Sequence, residues 1–164
     1  MRYFFILFIL LFSSCSYKHD SLYVGSKKTT EQGVANTKKT QILENGIIRI
    51  FVTVTYLNSL KNQALVDKNK EQFVIGFHFV NFSTQKTKID LNKKDVIFTI
   101  DSKTDSLSVK KLKSNSKLLQ IIPASNPWSQ YFLVATNKIN KNSISFSFKV
   151  NSYPQKSFVF EKDF

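Results

Sequence analysis

The steadiest pattern in the chain is Ser143–Val150, where Ile144, Phe146, Phe148 and Val150 alternate with Ser143, Ser145, Ser147 and Lys149. Strict alternation puts every second side chain on one face of an extended strand, so the apolar set predicts the buried face. Residues 48–57 repeat the pattern. There Ile48, Ile50, Val52, Val54 and Tyr56 share a face opposite Arg49, Thr53 and Thr55, and the β-branched residues suit a pleated surface. In 72–82 the set Phe73, Ile75, Phe77 and Phe79 faces away from Val74, Gly76, His78 and Val80. Both faces are largely apolar, which predicts a central strand covered on both sides or an edge strand under a loop. Shorter strands are expected at 86–91, 96–100, 107–112, 130–136 and 157–160, with turn chemistry at 92–95 and 101–105. Residues 116–122 predict one helical turn closed by Pro123, and Asn126-Pro127-Trp128 predicts an irregular loop. About seven to nine strands with no long amphipathic helix predict an all-β antiparallel sandwich, with a closed barrel as the alternative. A membrane barrel is excluded, because its lumen side has to be polar.

Ahead of this pattern the chain changes character. Residues 16–44 are polar and charge-mixed, and become strand-like only near Gln41. Residues 15–40 therefore read as a flexible tether, with the sandwich over 41–164. Before the tether stands MRYFFILFILLFSSC: the positive Arg2, an apolar run from Tyr3 to Phe12, then Ser13, Ser14 and the single cysteine, Cys15. The apolar run is too short to span a bilayer and suits a secretory leader over 1–14. The segment resembles a bacterial lipoprotein signal with its lipobox, although Phe12 stands where Leu is usual and Leu11 lies one place further out. That resemblance implies cleavage before Cys15 and acylation of its thiol and new amino group. Ser16, in place of the Asp that often signals inner-membrane retention in such lipoproteins, implies the outer membrane. An ordinary secretory signal ending near a cysteine is the alternative. Residues 46–58, 72–81 and 126–134 behind such a leader resemble small envelope lipoproteins with an immunoglobulin-like sandwich, which implies a fold and a location but no activity.

Composition changes this picture in two ways. Cys15 is the only cysteine, so the domain has to hold by packing in an oxidising compartment without an internal disulfide. The phenylalanines from Phe51 to Phe160 offer the apolar area for that. After loss of the leader the net charge is +12, one below the +13 of the whole chain, and Arg49 is the only arginine left. Nucleic-acid recognition leans on arginine forks, so a lysine surface argues against that partner. Lysine suits diffuse attraction to anionic lipid or glycan, and it also keeps strand edges soluble.

Catalytic chemistry finds little support. The two histidines are His19, in the tether, and His78, in mid-strand, too few for a zinc site. No nucleophile motif accompanies His78. Asp90, Asp95, Asp101 and Asp105 are interleaved with Lys88, Lys93, Lys94 and Lys103, which would repel a cation. Gly25, Gly33, Gly46 and Gly76 form no phosphate loop. No metal, cofactor or catalytic residue is expected. Trp128 and Tyr131 beside Pro127 are the candidate binding residues, able to anchor a partner or a sugar ring. The competing expectation is that Trp128 plugs one end of the core. The sequence thus predicts a non-enzymatic, lipid-anchored envelope protein that binds or scaffolds another envelope component. The alternative is a basic module that binds anionic glycan or lipid through its lysines.

Overall fold

Asn45 and Gly46, both left-handed at φ 52° and 77°, close a two-residue turn between β1 (Thr37–Glu44) and β2 (Ile47–Tyr56). Such turns match the right-handed twist of the strands they join, which is why Asn-Gly favours a hairpin here. A computed structural model of the protein describes residues 27–60, 63–80, 89–104, 106–123 and 125–162. Cys15, the leader, His19, Lys88 and Asp105 lie outside the described residues. Of the residues expected as a tether over 15–40, those described, from Lys27 on, form regular elements. A helix, α1 (Lys27–Ala35), precedes β1, and β1 pairs with β2 from Thr37↔Thr55 onward. Thr37 Oγ1 donates to the Gly33 carbonyl at 2.6 Å and lies 2.8 Å from Thr55 Oγ1, tying helix to sheet.

The other strands are β3 (Lys70–Phe79), β4 (Val96–Ile100), β5 (Ser108–Lys111), β6 (Gln130–Asn137), β7 (Ser143–Val150) and β8 (Lys156–Glu161). They form a five-stranded sheet in the order β1-β2-β3-β6-β5 and a three-stranded sheet in the order β4-β7-β8, with every pairing antiparallel. Without β1, the orders β2-β3-β6-β5 and β4-β7-β8 are the A-B-E-D and C-F-G of a constant-type immunoglobulin domain. The fold is thus the expected immunoglobulin-like sandwich, and the sheets do not close into a barrel.

The inward faces follow the alternation. Ile50, Val52, Val54 and Tyr56 from β2 meet Ile144, Phe146, Phe148 and Val150 from β7, all buried. Phe73 and Phe146 lie with ring centroids 4.7 Å apart, and Phe98 is 6.1 Å from Phe146. Phe77 contacts Phe148 edge-on at 5.8 Å. The outer face of β3 is covered as well, as its two apolar faces required. Val74 packs with Leu57, Leu60, Leu119, Ile121, Ile122 and Tyr131 in a second cluster. The short helix α2 (Leu118–Ile121) supplies part of that cover, followed by Pro123 as expected.

One expected strand is different. The described part of 86–91 leads instead into a 3-10 turn at Leu91–Lys93, capped by Asp90, whose carboxylate accepts the Asn92 N–H at 3.0 Å. Asp side chains compete with strand ladders for backbone donors in this way. Asp95 and Asp101 are similarly engaged. Asp95 accepts the Asp90 N–H at 2.8 Å, while Asp101 accepts the Ser145 N–H and the Lys141 ammonium, each at 2.8 Å. Among the described residues no three His, Cys, Asp or Glu side chains converge as metal ligands.

The face assignment in β7 can be tested directly. Phe146→Ala or Phe148→Ala should each cost roughly 3–5 kcal/mol in denaturant unfolding. Ser145→Ala should stay within about 0.5 kcal/mol of the parent. Equal losses at Ser145 and Phe146 would invert the assignment.

Candidate functional site

The loop that carries Trp128 is built from the sheet outward. Tyr131 lies opposite Gly76 in the β3–β6 ladder, and its ring occupies the space beside that position. A Cβ on Gly76 would meet Tyr131 Cε1 at 2.5 Å and Thr53 Oγ1 at 2.8 Å. Glycine is therefore required here for close approach rather than for an unusual φ. Held in this slot and only 4% exposed, Tyr131 uses its phenol oxygen to accept the Asn126 N–H at 2.8 Å. Asn126 Oδ1 in turn accepts from Trp128 N at 3.1 Å and from Ser129 Oγ at 2.9 Å. This Asx turn, with Pro127 at its tip, sets the course of the chain through the loop.

Trp128 is 79% exposed at the end of this scaffold. The expectation that it plugs the core is therefore wrong. The tight turn about Asn126 leaves the indole in solvent, and the outward-facing layer is closed by Tyr131, Leu119 and Ile121 instead. The candidate pair is also divided: Tyr131 is buried and holds the loop, whereas Trp128 is presented. Next to the loop a cleft of about 500 Å³ is bordered by Leu112, Leu119 and Tyr131 together with Ser114, Ser125, Asn126 and Ser129.

A second cluster lies toward the other end of β3 and was not anticipated. Glu71 is fully buried. Its carboxylate accepts from the Tyr56 hydroxyl at 2.6 Å, from Lys162 Nζ at 2.6 Å and from the Ile139 N–H at 3.1 Å. Lys162 Nζ also donates to the Ile139 carbonyl. Burial alone would raise the Glu71 pKa, but bonds from Lys162, Tyr56 and Ile139 outweigh it and hold the carboxyl below its ordinary range. Burial, then the hydrogen bond to Glu71 and its charge, push the Tyr56 phenol far above its usual value. Every group has a partner, so the cluster clamps β2, β3, the β6–β7 connection and the end of β8 together. The sequence signal was slight: Glu71 is an acid at the head of an otherwise apolar strand.

His78 is half-buried beside Phe51, with ring centroids 6.3 Å apart. Its buried Nδ1 has no hydrogen-bond partner among the described residues. No described helix is long and apolar enough to cross a membrane. No protein-family model matches the chain, and no curated protein matches it either.

Two substitutions probe these arrangements. Gly76→Ala should destabilise the domain by about 1–3 kcal/mol. It should also loosen the Trp128 loop, seen as lower fluorescence anisotropy, because Tyr131 must move. Unchanged stability and anisotropy would refute the slot. Glu71→Gln strips the charge partner from Lys162, whose side chain is 7% exposed, and should cost roughly 3–5 kcal/mol at neutral pH. Because the folded carboxyl lies below its unfolded value of about 4.3, Glu71's contribution is complete above that pH and fades as pH falls through the folded value. The parent should accordingly lose more stability on acidification than Glu71→Gln does.

Proposed function

We propose that this chain is a non-enzymatic, lipid-anchored protein of the bacterial envelope whose sandwich docks another envelope component through Trp128. The observation that carries the docking reading is the 79% exposure of Trp128 on a loop fixed by Tyr131 and Asn126. Burying an indole on binding gains a large apolar area, and a loop ordered beforehand loses little further entropy. Such a residue has the makings of an interface hot spot. The anchor rests on Arg2, the apolar run from Tyr3 to Phe12, and Cys15. A single acyl chain binds a membrane only marginally, whereas the several chains of a lipoprotein hold it there. The resemblance of the leader, with Ser16 after Cys15, favours the outer membrane.

Detergent phase separation tests the anchor: Cys15→Ser should move the protein to the aqueous phase or leave it unprocessed, and unchanged partitioning would refute acylation. Cross-linked capture from envelopes tests the docking. Trp128→Ala should weaken capture by about 30-fold or more, the loss of a hot spot. Its unfolding free energy should stay within about 0.5 kcal/mol, as for an exposed side chain. Capture that survives the substitution would overturn the docking reading.

A further inference from the structure

We infer that the cleft beside Trp128 binds an acidic saccharide, with the indole stacking on a sugar ring and nearby lysines meeting its carboxylates. This deepens the docking reading and rests on it. Three observations carry it. The first is the lining itself: Leu112, Leu119 and Tyr131 provide apolar surface, while Ser114, Ser125, Ser129 and Asn126 provide hydroxyl and amide groups. A sugar ring needs both, because its C–H face is apolar and its rim carries hydroxyls. The second is Trp128, exposed between the lining residues Pro127 and Ser129 with its backbone N–H held by Asn126, where a flat apolar face can take the C–H side of a ring. The third is charge. From Ser106 to Gln130 the chain holds Lys110, Lys111, Lys113 and Lys117 and no Asp or Glu. All four lysines are exposed, and none is paired with a carboxylate among the described residues. Lys113 stands between Leu112 and Ser114, and Lys117 two residues before Leu119, so the segments that line the cleft carry unbalanced positive charge.

Other anionic partners fit less well. A peptide added to the neighbouring edge would find in β5 only four residues, Ser108–Lys111, two of them lysines that blunt the edge. A planar lipid surface would span the cleft and leave the apolar floor of Leu112, Leu119 and Tyr131 unfilled.

Trp128 is the only tryptophan in the chain, so its emission reports on this site alone. The whole chain, reconstituted in phosphatidylcholine vesicles, is titrated with an oligogalacturonate, a neutral cello-oligosaccharide of equal length, and polyglutamate. In a further arm phosphatidylglycerol is included in the vesicles. The oligogalacturonate should shift and quench the emission saturably, and the neutral sugar should bind at least about tenfold more weakly. Affinity should fall steeply from about 0.1 M to about 1 M salt, as the screening length drops from roughly 10 Å to 3 Å. Lys113→Gln with Lys117→Gln should weaken binding by about tenfold with unfolding unchanged. Trp128→Ala should abolish binding measured by calorimetry. No response to oligogalacturonate, an equal response to polyglutamate, or a response only to phosphatidylglycerol would each overturn the inference. If envelope capture depends on Trp128 while the saccharide is inert, this inference falls and the docking reading stands. If capture ignores Trp128, the docking reading itself has failed.

Discussion

The contact on which the two-sheet structure turns is the one between Phe73 of β3 and Phe146 of β7, 4.7 Å apart at the ring centroids. In strand order these are the B and F strands, the pair that antibody domains join by a disulfide packed against a tryptophan on strand C. This chain has no cysteine inside the domain, and its strand-C equivalent, β4, offers Phe98 against Phe146. Tilted, close-packed rings thus stand in for a covalent pin. Such a join has no redox dependence, but it depends on each ring finding complementary neighbours, so Tyr56, Phe98 and Phe160 close round the pair. The abundance of phenylalanine is the compositional counterpart of the missing disulfide.

At one end of this core the Glu71 cluster does a different kind of work. Buried ion pairs add little net stability compared with apolar packing, because both charges lose their hydration. What the pair supplies is uniqueness. Only one arrangement lets a single carboxylate collect Tyr56, Ile139 and Lys162 from three separate stretches of chain. Any other seating of β8 would leave a charge buried and unmet.

Where burial is one-sided the sequence was transparent, and where contacts decide it was opaque. β7 could be read almost throughout, because serines alternate with Ile144, Phe146, Phe148 and Val150 and one face alone is apolar, although Ser147 on the other face is buried too. β3 was legible as a doubly covered strand for the opposite reason, since Val74 on its second face also needed cover. β1 was not, because Thr37 to Gln41 are polar on both faces and only Ile42 is deeply buried. Its one clear mark was Asn45-Gly46, a hairpin signal just beyond the expected end of the tether. Tyr131 and Trp128 could be nominated as amphipathic residues, but their separate fates depend on Gly76, far away in sequence and opposite in the ladder. Periodicity carries no record of such a partner. Glu71 was missed likewise, since a lone acid says nothing about which groups it will meet.

The bare backbone at Gly76 has a consequence for how the strands find one another. Side chains recur on a given face every second residue, so sliding β6 along β3 by two positions keeps the inward and outward faces the same and changes only the partners. After such a slip Tyr131 would lie opposite Val74 or His78 instead of Gly76, where a side chain fills the space its ring now occupies. Glycine at this one position therefore works as a notch and the phenol as its key. It selects a single alignment among several that hydrophobicity alone would accept. The same fit that seats β6 also fixes where Trp128 stands.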